Sequence, residues 1–228
     1  KGASPLFFRA CFIPGGEIQQ PKITVKNNEV KIKIEAFPGR FDLSINCGKS
    51  DFPFLTYHST LTPRTALFLP FCPRDILTAQ SPSDSQKSWG ELHLTQIGTR
   101  SGIAYFTKEK SNLRVLYLQN LTTLSAYAEQ TGTNLAEVVK GQLPEIGLSL
   151  PSAIEKPLKK GEKVTLSDAY ICFKSLQGSS TDLSIDYLDL LAAVYLMMPK
   201  PGTHYLPWPL ILKKGLTDLI ENPGCWEM

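Results

Sequence analysis

The chain has no CxxC pair and no cluster of cysteine and histidine at metal-ligand spacing. Its five cysteines, Cys11, Cys47, Cys72, Cys172 and Cys225, lie far apart, which argues against a zinc site. Their odd number leaves at least one thiol free, and a buried cysteine behaves as a small hydrophobe. No apolar run reaches the ~20 residues that a bilayer-spanning helix needs. The closest, residues 187–198, contains Asp189, so no membrane span is expected. Neither sign of charge dominates: 24 basic and 21 acidic residues are well mixed, for a formal net charge of +3. The electrostatic footprint of a nucleic-acid binder is therefore missing. GxSxG, a glycine-rich phosphate loop and HExxH are all absent, which weighs against an autonomous hydrolase or nucleotide enzyme. No catalytic residue, metal or cofactor is assigned.

What the sequence does contain is many short strands. Its 228 residues, 42% of them hydrophobic, suffice for one large sandwich or a sandwich with a helical appendage. Up to about residue 119, apolar or alternating runs are separated by Pro, Gly, Asn and Ser. Residues 23–26 and 30–35 alternate with period two around Asn27-Asn28-Glu29, which predicts a hairpin. The alternation places Val30, Ile32 and Ile34 on one face and Lys31, Lys33 and Glu35 on the other, giving the sheet one wet side. Further strands are predicted at 41–46, 54–60, 65–69, 76–80, 91–97, 103–107, 113–119 and 169–175. The expected class is mainly β (α+β), a two-sheet antiparallel β-sandwich of the supersandwich type with C-terminal linker helices.

Helical spacing enters at Leu121, Leu124, Tyr127 and Ala128, and Asn134 is placed to cap a second short helix over 135–140, stopped by Gly141. Residues 143–166, broken by Pro144, Pro151 and Pro157, read as an irregular excursion. Asp182 caps a long helix over 183–198, with Asp182, Asp186 and Asp189 along one solvated stripe and a second half that is apolar all round. A last helix over 208–221 sets Trp208, Ile211, Leu212, Leu216, Leu219 and Ile220 against Lys213, Lys214, Asp218 and Glu221. After it Trp226 sits beside the chain end, so the chain is expected to stop in mid-protein. The expected domains are a β-sandwich over 1–181, with short inserted helices at about 121–140, and a helical linker over 182–228. Asn120-Leu121-Thr122 matches a glycosylation sequon, a tripeptide common by chance.

The run Tyr117-Leu118-Gln119-Asn120-Leu121-Thr122-Thr123-Leu124-Ser125-Ala126-Tyr127, the later Pro144-Glu145-Ile146-Gly147, and residues 201–219 with Tyr205, Trp208 and Asp218 carry a resemblance. Together they resemble the β-sandwich region that precedes an (α/α)6 helical toroid in multidomain proteins of the glycoside-hydrolase type. The resemblance spans residues 6–221 and implies a galactose-mutarotase-like sandwich, a helical linker into the toroid and a carbohydrate-related context. Catalytic carboxylates in enzymes of this plan generally come from the toroid, so the resemblance carries no catalytic residue onto this chain.

The stretch Trp89-Gly90-Glu91-Leu92-His93-Leu94-Thr95-Gln96 offers candidate carbohydrate contacts. Glu91, His93 and Thr95 share a face, and Trp89 can stack on a sugar ring. The plainer reading is a half-exposed strand with a packed Trp. Tyr105 and Phe106 point to opposite faces, and Tyr105 is the candidate for the surface. Glycoside hydrolysis needs two carboxylates facing each other about 5–10 Å apart. Glu145, Asp168, Asp182, Asp186 and Asp189 are available, the last three reading as cap and solvated face. Pro73-Arg74-Asp75 reads as a turn ion pair and Tyr57-His58-Ser59 as strand residues. The expected function is a noncatalytic β-sandwich module that supports a following helical domain and contacts carbohydrate. Its rivals are an autonomous carbohydrate-binding module using Trp89 and Tyr105, and a mutarotase-like enzyme. The latter needs a histidine and a carboxylate in one cleft, drawn from His58, His93 and His204.

Overall fold

The computed structural model describes residues 6–9, 19–78, 90–98, 100–108, 113–136, 138–175, 182–200, 202 and 205–225. Trp89, His204, Cys11 and the end of the strand expected at 76–80 lie outside the described residues. The strands are β1 (Phe7–Phe8), β2 (Lys22–Lys26), β3 (Glu29–Ala36), β4 (Gly39–Lys49), β5 (Pro53–Pro63), β6 (Leu67–Leu69), β7 (Ile76–Leu77), β8 (Glu91–Ile97), β9 (Ser101–Lys108), β10 (Leu113–Asn120), β11 (Val139–Gln142), β12 (Glu145–Leu148), β13 (Ala153–Leu158) and β14 (Val164–Ser175). All their pairings are antiparallel. They form an eight-stranded sheet in the order β2-β3-β4-β5-β14-β10-β9-β8, a four-stranded sheet β1-β7-β12-β11, and the pair β13-β6. This is the mainly β, antiparallel sandwich that the strand count implies.

Period-two alternation explains why the two sheets pack. Tyr57 and Leu61 on β5, Ala169 and Ile171 on β14, Val115 and Tyr117 on β10, and Ala104 and Phe106 on β9 point inward. They share one core with Ile76, Val139, Ile146 and Leu148 of the smaller sheet. Each large apolar side chain so buried stabilises the fold by about 1.5–3 kcal/mol. At the rim β11 comes so close to β9 that a Cβ on Gly102 would run into the side chain of Val139. The hairpin of β2 and β3 turns at Asn27-Asn28, with Asn27 at φ 53°, a conformation Asn tolerates better than most residues.

Two expectations in the middle of the chain are corrected. Asn134 Oδ1 does accept from Ala136 N at 2.9 Å, but the turn ends there. Residues 139–142 form β11 because Val138 and Val139 are drawn into the core. The excursion over 143–166 holds β12 and β13. Pro157 is accommodated because the register of β13 against β6 shifts between Ala153 and Leu158, so no ladder bond is required of it. Helix α1 (Ser125–Thr131) follows a 3-10 turn at Leu121–Leu124 and ends at Gly132, φ 67°.

The opposite face of the large sheet carries α2 (Leu183–Met197), packed on β10 and β14. Asp182 caps it, its Oδ1 accepting from Ser184 N at 2.8 Å. Asp186 corrects the solvated stripe: it is fully buried, with Arg114 Nε 3.3 Å from Oδ2 and Lys174 Nζ 2.8 Å from Oδ1. Asp189 also meets Lys174, at 2.6 Å. Leu190, Ala193 and Val194 share the buried side of α2, whereas Ile185, Leu188, Tyr195 and Leu196 are exposed. The chain divides into two compact units, Lys1–Met197 and Met198–Met228, so α2 belongs with the sandwich. The second unit contains α3 (Trp208–Glu221), an amphipathic helix with proline in its first turn and no buried residue. Among the described residues no helix is long and apolar enough to cross a membrane.

Candidate functional site

Strand order assembles a band of polar side chains on the outer face of the large sheet. Across the ladder Lys31 on β3 lies beside Ser44 on β4, Ser44 beside His58 on β5, and His58 beside Asp168 on β14. Asn120 on β10 comes next, and Ser101 on β9 pairs with it. Asp168 is the hub: Oδ2 accepts from Asn120 Nδ2 at 3.0 Å, and Oδ1 is 3.7 Å from His58 Nδ1. The longer distance is an ion-pair separation rather than a hydrogen bond. The His58 side chain is 43% exposed and that of Asp168 18%, so a ligand arriving from solvent meets the imidazole first. The neighbouring row holds Asn46, Thr56 and Tyr170, with Asn46 Nδ2 3.4 Å from Thr56 Oγ1. Burial, and then the negative charge of Asp168, raises the pKa of the half-buried Tyr170. On the other side of His58 the surface dips into a groove of about 620 Å³, counting its open mouth, lined by Lys31, Lys33, Asp42, Ser44, Thr60 and Lys163.

The residues expected to contact sugar are placed differently. Trp89 lies outside the described residues. Glu91 is exposed on β8, an edge strand. A bulge between Leu92 and Leu94 inserts His93 as an extra residue, so alternation breaks and Thr95 pairs with core-facing Ala104 while Glu91 pairs with Thr107. Glu91 and Thr95 therefore lie on opposite faces. His93 is 17% exposed, its Nε2 3.1 Å from Thr107 Oγ1 and its Nδ1 4.0 Å from Glu91. Tyr105 is 3% exposed. Its hydroxyl donates to the carbonyl of Leu183 at 3.3 Å, and its ring lies 5.4 Å from that of Tyr187 and 5.7 Å from His93. Helix α2 therefore takes up the face of Tyr105 that the sequence assigns to solvent.

A second, mostly apolar cavity lies within the sandwich, about 530 Å³ with its mouth, and Arg9, Tyr57, Ser59, Cys72, Asp75 and Ser167 are among its lining. Asp75 is buried rather than a turn ion pair. Its Oδ1 accepts from Leu148 N at 2.9 Å, and Tyr117 Oη lies 2.7 Å from Oδ2 and 2.9 Å from Gln119 Oε1. Burial, opposed by the bonds from Tyr117 and Leu148 and by the charge of Arg74, pushes the Asp75 carboxyl up to about 6. Arg74 itself donates to the carbonyls of Val138 and Gly147. Burial also raises the thiols of Cys72 and Cys172 to about 11, which keeps them unreactive at neutral pH. Cys47, Cys72, Cys172 and Cys225 are all free thiols. Among the described residues no three His, Cys, Asp or Glu side chains are grouped as metal ligands.

No protein-family model, curated protein or solved structure matches this chain. The site therefore rests on geometry alone. The sequence presented His58 and Asp168 separately, as a strand residue and an available carboxylate, and Asn120 only within a sequon. The alternation Thr56, His58, Thr60 against Tyr57, Ser59, Leu61 was the available sign that His58 faces water. Its meeting with Asp168 and Asn120 depends on the order β5-β14-β10.

Proposed function

We propose that this chain is a noncatalytic β-sandwich module of a carbohydrate-active, glycoside-hydrolase-like protein, and that its outer sheet face contacts carbohydrate. The observation that carries this reading is the band Ser44, His58, Asp168 and Asn120 beside the half-buried ring of Tyr170. Hydroxyl, imidazole, carboxylate and amide groups side by side supply the donors and acceptors a polyhydroxylated ligand needs. A tyrosine ring offers its apolar C–H faces a partner. Two buried carboxylates are committed elsewhere, Asp75 to Tyr117 and Leu148 and Asp186 to Arg114 and Lys174. That supports a binding or supporting role over glycoside hydrolysis. In the same reading the exposed apolar side of α2, with Ile185, Leu188, Tyr195 and Leu196, supports a helical domain of the same protein. Oligosaccharide titration followed by calorimetry tests the contact. The expected result is saturable binding that Asp168→Ala and Tyr170→Ala each weaken, with no bond cleavage by this chain. Hydrolysis by this chain contradicts the module reading, and a panel-wide lack of binding contradicts the contact.

A mutarotase-like activity is the second reading, favoured by the approach of His58 to Asp168 at 3.7 Å. An imidazole beside a carboxylate can move a proton to and from a sugar hydroxyl. In this reading His58→Ala abolishes any acceleration of anomer interconversion, followed by polarimetry. Acceleration that survives the substitution removes it.

A further inference from the structure

The charges on the outer face of β2, β3 and β4 do not balance. Lys31 Nζ meets Glu29 at 2.9 Å, Arg40 Nε meets Asp42 at 2.9 Å, and Arg64 pairs with Glu35. These three ion pairs use every carboxylate that β2, β3 and β4 contribute to this face. Lys22, Lys33 and Lys163 make no ion pair with any described residue. Lys22 and Lys33 are direct cross-strand partners, a like-charge arrangement that Asp42, opposite Lys33 on β4 and shared with Arg40, offsets only in part. Asp168 does not offset them, because its oxygens are turned to His58 and Asn120. Lys33 and Lys163 line the groove together with Ser44 and His58, and Asp42 on the same wall is held by Arg40.

We infer that this groove binds an anionic group, a carboxylate or a sulfate ester, carried by an acidic carbohydrate; the carbohydrate part rests on the reading proposed above. The ammonium groups of Lys33 and Lys163 meet the anion. Ser44 and His58 supply neighbouring hydrogen bonds, and the band toward Tyr170 continues the site for the adjoining sugar. An anion here relieves the repulsion between Lys22 and Lys33, so the ligand and the sheet stabilise each other. A nucleic-acid backbone fits less well, because the net charge of the whole chain is only +3.

Calorimetry of the whole chain against oligogalacturonate and its neutral methyl ester, and against dextran sulfate and dextran, tests the inference. The expected result is that each anionic probe binds about ten-fold or more tightly than its neutral counterpart. Its affinity should fall as salt rises, and Lys33→Ala or Lys163→Ala should each lose about three- to ten-fold while Lys33→Arg retains binding. Equal binding of acid and ester, unmoved by the lysine substitutions, overturns the anionic specificity and leaves carbohydrate contact standing. Binding of none of the four probes overturns both. Equal affinity for a single-stranded oligonucleotide, or full displacement by inorganic sulfate at the same concentration as the oligosaccharide, overturns the carbohydrate assignment.

Discussion

Asp75 shows how a single buried carboxyl ties two sheets and makes their union sensitive to pH. It grips Leu148 on β12 and Tyr117 on β10, and its pKa stands at about 6 against an ordinary value of 3.8. A carboxyl raised in the folded state stabilises most fully below its unfolded value, and that contribution fades as pH climbs through the folded value. The stabilisation, at most about 3 kcal/mol, is expected to be present near pH 4 and lost by about pH 7. Paired carboxylates such as Asp186 work in the other direction. The effect is therefore read from the difference between wild type and Asp75→Asn in urea midpoints across that range: the gap should change with pH in the window from 4 to 7 and be flat outside it. A gap independent of pH contradicts the assignment. Gly102 makes a steric counterpart, since a methyl group there would run into the side chain of Val139. Gly102→Ala is expected to cost about 1–3 kcal/mol by overpacking, measured by thermal unfolding.

At the scale of elements, the anchoring of α2 depends on one buried acid. Asp186 faces Arg114 from β10 and Lys174 from β14, so removing it leaves two cations beside an apolar contact of Leu190, Ala193 and Val194. Asp186→Ala is expected to destabilise by about 3 kcal/mol or more, whereas the partly exposed Asp189→Ala costs less than about 1 kcal/mol. Chemical denaturation of both variants checks the order. The sequence announced α2 by its Asp182 cap, but its aspartates suggested a solvated stripe and its apolar second half does not declare which side meets a sheet. That choice comes from Arg114 and Lys174, distant in the chain. The hairpin of β2 and β3 and the bounds of α3 were legible because their periodicity is complete within each element. Residues 135–140 were misread because the turn made by Asn134 has the same first bond as a helix cap, and only the burial of Val138 and Val139 separates the two.

For the whole molecule, fold class followed from local pattern, whereas the candidate site did not. His58, Asp168 and Asn120 each sit in ordinary strand context, and it is the path of the chain through β5, β14 and β10 that sets them side by side. The stretch around His93 looked more like a site because its polar residues are adjacent in sequence, yet the bulge and the cover of α2 over Tyr105 divide it. In the proposed reading, the polar, aromatic-edged outer face of the large sheet would serve ligand contact and the exposed apolar side of α2 domain support. The most direct test of this account is a backbone-amide NMR titration of the chain with acidic and neutral oligosaccharides. The expected result is a saturable set of shift changes centred on Ser44, His58, Asp168 and Tyr170. Changes confined to Glu91 and His93, or none with any sugar, contradict it.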